Sequence, residues 1–281
     1  MNRNQHENIA LITGASSGIG LELTRKWLAE GWQVAALIRS DFPEEDRGIR
    51  EAVKKGRLRI YKAADLADYD SLRRAMEEIT GKERQIDILF NNAGGSFPEL
   101  SYSKQGRERH YELMTVVPYI ILMEMKELLI NGRLKTVINT SSSAFKFTKE
   151  FSVESLEHPR TFRKLTGPYA SSKLALSLWT QAIASELARD GIRIRSVDPG
   201  GNNTLKKGNA SGLPLVVRLL MKLFFSPPAK GANLLYEGAI GKHRHETGVF
   251  LMKDQVAELK FANQAEQVLG RVRAIYEHEF K

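Results

Sequence analysis

The sequence predicts an α/β fold: a doubly wound, mostly parallel sheet of about seven strands with helices on both faces. Three observations predict it. Short apolar, β-branched runs alternate with helix-period segments along the chain. Those runs are nearly continuous in apolar character, as expected for strands covered on both sides. A glycine-rich turn joins the first strand candidate directly to the first helix candidate. The 281 residues suit a single large domain, taken as 1–281.

Strands are predicted at Ile9–Thr13, Val34–Ile38, Leu58–Tyr61, Ile86–Asn91, Thr136–Asn139, Ile192–Val197 and Val249–Met252. Helices are predicted between them, at Ile19–Glu30, Glu44–Lys55, Ser71–Thr80, Arg107–Ile130, Gly167–Arg189, Lys230–Ile240 and Gln264–His278. Gly31 and Gly191 follow helical stretches, where glycine commonly ends a helix. Pro118 threatens the fourth helix with a kink. Two long stretches interrupt the pattern: Phe145–Thr166 is charged and irregular, and 202–228 contains the apolar run Leu213–Phe225. Both follow strand ends, so both are placed to wall a substrate site, the second as a lid.

Composition narrows the function. With no cysteine, disulfides and thiolate metal sites are excluded. No apolar run reaches the ~18–20 residues that span a bilayer. The first eight residues lack a signal peptide's apolar core, so a cytoplasmic protein is expected. The net charge of +9 can attract nucleic acid, an anionic membrane or an anionic cofactor. The basic residues are scattered, however, with no zinc-finger spacing, RNP-like motif or long basic block, and nucleic-acid binding is not expected. No His-Glu-x-x-His pair indicates a metal, and no Gly-x-Ser-x-Gly indicates a serine hydrolase. None of the six histidines, His110 among them, has an obvious carboxylate to orient it.

The residues that carry chemistry lie at predicted strand ends. In Thr13-Gly14-Ala15-Ser16-Ser17-Gly18-Ile19-Gly20, glycines let helix N-terminal amides approach a pyrophosphate. Arg39 follows the second strand where an NAD site usually has an acid, and the nearest acid, Asp41, lies beyond it. That favours NADP(H) over NAD(H), through the 2′-phosphate, against a plain surface arginine. Asp65, before Leu66, can accept from an adenine amino group or cap a helix, although Asp68 fits the cap better. Asn91-Asn92-Ala93-Gly94 allows backbone approach to a ribose, or is an ordinary turn. Tyr169 and Lys173, four residues apart, share a helix face, and an ammonium there favours phenolate and makes a tuned acid/base. Alone, that spacing is common on helix surfaces. Ser142, flanked by Ser141 and Ser143 with the register open by one, can hydrogen-bond a reacting carbonyl oxygen.

Together these residues resemble the short-chain dehydrogenase/reductase family over about Asn8 to Met252. The resemblance implies a Rossmann-type fold. It implies that Thr13, Gly14, Ser16, Gly18, Ile19 and Gly20 hold the pyrophosphate side of the cofactor, Arg39 the 2′-phosphate, Asp65 and Leu66 the adenine, and Asn91, Ala93 and Gly94 the adenosine ribose. It implies catalysis by Ser142, Tyr169 and Lys173, with Lys173 also on the nicotinamide ribose. Pro199 and Gly200 match the turn beside the nicotinamide, and Thr204 its carboxamide or phosphate. A homodimer or homotetramer is also implied. The Ser142-to-Tyr169 gap, Pro227–Ala232 and Gly248–Phe250 resemble the retinol-dehydrogenase-like branch. One departure stands out: Thr115 falls where many members carry an asparagine that helps hold a proton-relay water. The expectation is an NADP(H)-dependent carbonyl reductase or alcohol dehydrogenase for a hydrophobic small molecule. The alternative is an NADP(H)-binding regulator without turnover. Arg218 and Lys222 on an apolar stretch also admit membrane-surface contact, less favoured than a lid.

Overall fold

A computed structural model describes residues 8–201 and 226–281. Its sheet contains β1 (Ile9–Thr13), β2 (Gln33–Ile38), β3 (Leu58–Lys62), β4 (Ile88–Asn91), β5 (Thr136–Thr140), β6 (Arg193–Asp198), β7 (Val249–Met252) and β8 (Gln255–Ala257). The order is β3-β2-β1-β4-β5-β6-β7-β8. All neighbours are parallel except the β7–β8 pair. Each of the predicted strands is present. The short β8 adds a strand at the edge, returned by a hairpin through Lys253 (φ 52) and Asp254 (φ 55). Two successive left-handed residues match the twist of a tight hairpin. Lys-Asp is not the usual composition for one, and three residues are too few to show periodicity.

Alternate residues of each central strand feed opposite faces. Ile9, Leu11, Ala35, Leu37, Leu89 and Val137 enter one core, while Ala10, Ile12, Val34, Ala36, Ile88 and Ile138 enter the other. The second core is covered by α1 (Gly18–Ala29), α2 (Arg47–Lys54) and α8 (Pro228–Ile240); the first by α3 (Tyr69–Lys82), the segment after β4, α7 (Pro168–Ala188) and α9 (Ala265–Ile275). Asp46 caps α2 by accepting from the Ile49 amide, and Asp68 caps α3 through the Asp70 amide. Trp27 of α1 packs at a tilt against Tyr236 of α8, joining those helices over the sheet.

The predicted helix Arg107–Ile130 is corrected. It divides into α4 (Arg109–Tyr111), a π-helical turn Glu112–Val116, α5 (Val117–Glu124) and α6 (Lys126–Asn131). Pro118 is the physical reason: in a continuous α-helix its ring would press on the Met114 carbonyl and it would donate nothing back. A wider turn before it removes that demand, and Pro118 occupies the start of α5, where a missing N–H costs little.

Phe145–Thr166 forms a strap rather than a solvated loop. Phe145, Phe151, Val153 and Leu156 are buried in the core. Polar ties bind it to the C-terminal helix: Gln264 donates to the Phe151 carbonyl, and Arg271 pairs with Glu157 at 2.9 Å. Thr204, the apolar run Leu213–Phe225 and most of the expected lid lie outside the described residues. Among the described residues no helix is long and apolar enough to cross a membrane.

Arg195 of β6 is fully buried, and its guanidinium donates to the carbonyls of Gly238, Ala239, Arg244 and Glu246. It therefore satisfies the C-terminal end of α8, whose last carbonyls have no helical donor. Replacing it with leucine strands those acceptors. Arg195→Leu should lower unfolding free energy by about 3 kcal/mol, read as a lower urea midpoint with an unchanged slope.

Candidate active site

The site begins where β1 and β4 lie side by side. The chain reverses its direction across the sheet here, and parallel sheets open a crevice at such a point. The Thr13 hydroxyl accepts from the amides of Asn92 (2.9 Å) and Ala93 (2.8 Å), tying the two strand ends together. Gly14 (φ +67) donates its amide to the Leu37 carbonyl, tying in β2 as well. A Cβ on Gly20 would lie 2.2 Å from the Gly14 carbonyl oxygen and 2.7 Å from the Asn92 side chain. Glycine is therefore required where α1 passes over the loop. The N-terminus of α1 has no side-chain cap at Ser17, so its amides are open to an anion. Ser16 is buried, and Gly18 and Ile19 form the first turn.

At the end of β2, Arg39 is exposed and makes no hydrogen bond or ion pair among the described residues. Asp41, the acid that might have competed for a ribose, pairs with Lys62 at 2.7 Å. After β3, Asp65 accepts from the Ala67 amide and pairs with Arg109 at 3.1 Å, while Leu66 packs on the core. Asp65 is thus bridged to Arg109 rather than free, an engagement the sequence did not reveal.

Asn91 is placed differently from the ribose-binding expectation. Its side chain is buried and donates to the Pro118 carbonyl (3.2 Å) and to Asn139 (2.9 Å). Asn139 donates in turn to Thr180 of α7. This chain of amides fastens β4, β5, α5 and α7 together, because buried amides must find partners. Ala93 and Gly94 are left at the strand end, with Gly94 beside Lys173: a Cβ there would stand 3.7 Å from the lysine nitrogen.

Tyr169 and Lys173 occupy the first two turns of α7, which Pro168 starts. Lys173 is buried and donates to the carbonyl of Thr140, the last residue of β5, at 2.6 Å. The serine register is resolved by partners. Ser141 turns into α7, sharing a hydrogen bond with Ser177 at 2.7 Å, while Ser142 faces the Tyr169 phenol. Pro199 and Gly200 follow β6; the Gly200 amide donates to Asp198, whose charge reaches both Tyr169 and Lys173. The carboxyl ends of β4, β5 and β6 therefore converge on this helix.

Electrostatics in the site are set by burial. Burial pushes the Tyr169 phenol above its ordinary value; Ser142 opposes this and the Asp198 charge reinforces it. Burial pulls the Lys173 ammonium down to about 7, with Asp198 acting the other way. The expected lowering of the phenol by Lys173 is not the governing influence here, because desolvation weakens the lysine's own charge.

Thr115 is bonded into the scaffold. It is buried in the π-turn, where its hydroxyl donates to the Ser172 carbonyl and its own carbonyl accepts from the Trp179 indole. The side chain of this turn that meets Gly94 is Met114, whose sulfur would stand 2.9 Å from a Cβ there. The wider turn rotates successive side chains away from α-helical positions, so Met114 and not Thr115 meets Gly94.

His110, read as lacking a carboxylate partner, has one: its Nδ1 lies 2.6 Å from Glu108, with both side chains buried. Its ring also packs near Tyr169, Phe97 and Phe162. No helical spacing brings residues two apart onto one face. The pair meets because Glu108 is the extended cap and His110 lies within α4. Asp198 was likewise missed, since a single acid before Pro-Gly carries no pattern.

The short chain dehydrogenase family model matches residues 8–211. The chain is 30% identical over 233 residues to human retinol dehydrogenase 12, covering 82% of this chain and 70% of that one. A short-chain dehydrogenase/reductase of Armillaria gallica is 29% identical over 203 residues, 70% of this chain and 65% of that protein. Among solved structures, a blue fluorescent protein from a metagenomic library, in complex with NADPH, aligns with a TM-score of 0.65 at 23% identity, over 90% of this chain and 98% of that one. The protein belongs to the short-chain dehydrogenase/reductase family, on its retinol-dehydrogenase-like branch. It is an oxidoreductase of alcohol and carbonyl groups that takes a nicotinamide nucleotide.

Two measurements test this geometry. Gly20→Ala should weaken nucleotide binding about a hundredfold or more by forcing the loop off α1, measured by fluorescence titration. Lys173→Met should stabilise the nucleotide-free protein. The lysine's folded pKa lies below its unfolded value, so its burial penalty is full below pH 7 and fades as pH rises toward 10.5. The gain at pH 6 should exceed that at pH 10 by about 4 kcal/mol in denaturant titrations.

Proposed function

We propose that this protein is an NADP(H)-dependent oxidoreductase that interconverts a hydrophobic carbonyl compound and its alcohol, with Tyr169 as general acid/base. The observation carrying this reading is the convergence of Ser142, Tyr169 and Lys173 beside the ends of β4 and β5, next to a loop that excludes a Cβ at Gly20. The nucleotide-binding residues fit the cofactor: uncapped amides at α1 suit a pyrophosphate, and Arg39, unpaired among the described residues, suits a 2′-phosphate. Ala93 and Gly94 line the same crevice, and Lys173 would reach the nicotinamide ribose. Bound there, the nicotinamide supplies or accepts the hydride.

The protein's own residues handle the proton. The raised pKa of Tyr169 keeps its phenol protonated at neutral pH, the form needed to give a proton to a carbonyl oxygen gaining negative charge. Ser142 faces the phenol and donates to the same substrate oxygen, stabilising it as charge develops. Lys173, anchored on the Thr140 carbonyl, keeps a cationic donor near the phenol when protonated and helps the phenolate recover its proton. Alcohol oxidation needs the phenolate and is favoured by alkaline pH.

The substrate's apolar character is supported by Phe97 and Phe162, which pack on the His110 ring beside Tyr169, and by relatives named retinol and polyprenol dehydrogenases. The regulator reading draws on the Thr115 departure; NADPH binding without turnover on a wide carbonyl panel would favour it.

The test is the initial rate of NADPH and NADH oxidation, followed by absorbance, over carbonyls from small polar aldehydes to large apolar ketones. NADPH should be preferred. Tyr169→Phe should lower kcat about a thousandfold or more while leaving NADPH affinity within about threefold. Arg39→Ala should weaken NADPH binding about tenfold to a hundredfold and leave NADH binding unchanged. Equal rates with both cofactors would refute the role of Arg39; turnover surviving Tyr169→Phe would refute the mechanism.

A further inference from the structure

Beside Tyr169 lies a buried pair that the chemistry described above does not use. Glu108 is fully buried and His110 nearly so. One Glu108 oxygen accepts from the Tyr111 amide at 2.9 Å, which caps α4. The other lies 2.6 Å from His110 Nδ1. On the far side of the ring, the Phe97 amide donates to His110 Nε2 at 2.9 Å.

These contacts define the imidazole. An amide N–H only donates, so Nε2 carries a lone pair and Nδ1 carries the proton, which it donates to Glu108. With both nitrogens bonded, flipping the ring would break both bonds and strand a buried carboxylate. The ring therefore has one orientation. In it, His110 stands edge-on to Tyr169, with centroids 6.0 Å apart and planes at 84°. Phe97 packs on the same imidazole at 4.8 Å, and Phe162, delivered by the strap, at 6.3 Å. The strap also grips Glu108, whose backbone amide donates to the Glu157 carbonyl at 2.8 Å.

We propose that Glu108, His110 and the Phe97 amide form a lock that positions the phenol ring of Tyr169, making His110 a positioning residue for the reaction. The assignment rests on the proposed role of Tyr169. His110 does not exchange a proton with substrate, since both ring nitrogens are committed. It acts by holding a ring wall against the phenol and keeping water from that side, so that the phenol oxygen meets Ser142 in one geometry. The charged group that acts on the phenol is Asp198, and Lys173 lies one turn along the same helix.

The lock is read first in the unmodified protein. The 15N shifts of His110 should show a protonated Nδ1 and an unprotonated Nε2 at neutral pH; the opposite tautomer overturns the lock. The second measurement uses protein with 13C at tyrosine Cζ, the Tyr169 line being identified by its loss in Tyr169→Phe. His110→Gln retains a donor and an acceptor but removes the ring, and His110→Phe retains a ring but removes both hydrogen bonds. In each, the Tyr169 line should shift, and in His110→Gln it should titrate at lower pH because water enters where the ring stood. With the best carbonyl substrate, kcat should fall about tenfold and KM change less than about threefold, since the phenol and not the binding surface is displaced. NADPH binding within about threefold of wild type confirms folding; if His110→Phe fails this, His110→Gln decides. A Tyr169 titration identical to wild type overturns the proposal, as does an unchanged kcat. If the unmodified protein turns over no carbonyl, the catalytic reading fails, while the resonance still shows whether His110 holds Tyr169.

Discussion

The structure depends on how closely β1 and β4 are drawn together at their carboxyl ends. These ends are 79 residues apart in sequence, yet the Thr13 hydroxyl accepts from two consecutive amides of the β4 turn. Gly14 and Gly20 complete the approach, because no side-chain atom intrudes between loop and helix. The crevice, the open amides of α1 and the position of Gly94 all follow from this junction. A looser junction would leave the same motifs in place but would not form one site.

A second constraint, imposed by Pro118, propagates from the turn before α5. The π-helical turn that accommodates it presents Met114 toward Gly94 and turns Thr115 toward Ser172 and Trp179. The Pro118 carbonyl also receives the Asn91 amide, whose other bond begins the chain through Asn139 to Thr180. One backbone irregularity thus decides which side chains border the lysine and which hold the scaffold. π-turns of this kind concentrate at functional sites because they redirect side chains without ending a helix.

Burial, more than any charge pair, sets the character of the reactive groups. It raises the Tyr169 phenol and lowers the Lys173 ammonium, both toward their neutral forms. Ser142 and Asp198 adjust that balance from the ends of β5 and β6. The strap contributes to the same effect from outside: it is anchored on α9 and carries Phe162 to the aromatic cluster around His110. Dry walls of this kind make a small number of hydrogen bonds decisive.

Much of this protein was legible in its amino-acid order. Strand and helix types follow from apolar periodicity, which burial on two faces imposes locally, and the glycine turn, Tyr169, Lys173 and the serine cluster are contiguous patterns tied to particular chemistry. The sequence alone determined the fold class, the end of the sheet that carries the site and the family. Tertiary structure decided the rest. Whether Ser141 or Ser142 faces the phenol depends on which serine Ser177 engages, and Asn91 is claimed by Pro118 and Asn139 from other elements. Met114 rather than Thr115 borders the site because a proline four residues on widens the turn. Glu108 and His110 meet through an extended cap that no periodicity encodes. The physical reason is common to all of these: periodicity records which face a residue buries, whereas hydrogen-bond partners and side-chain direction depend on what distant segments bring to that face.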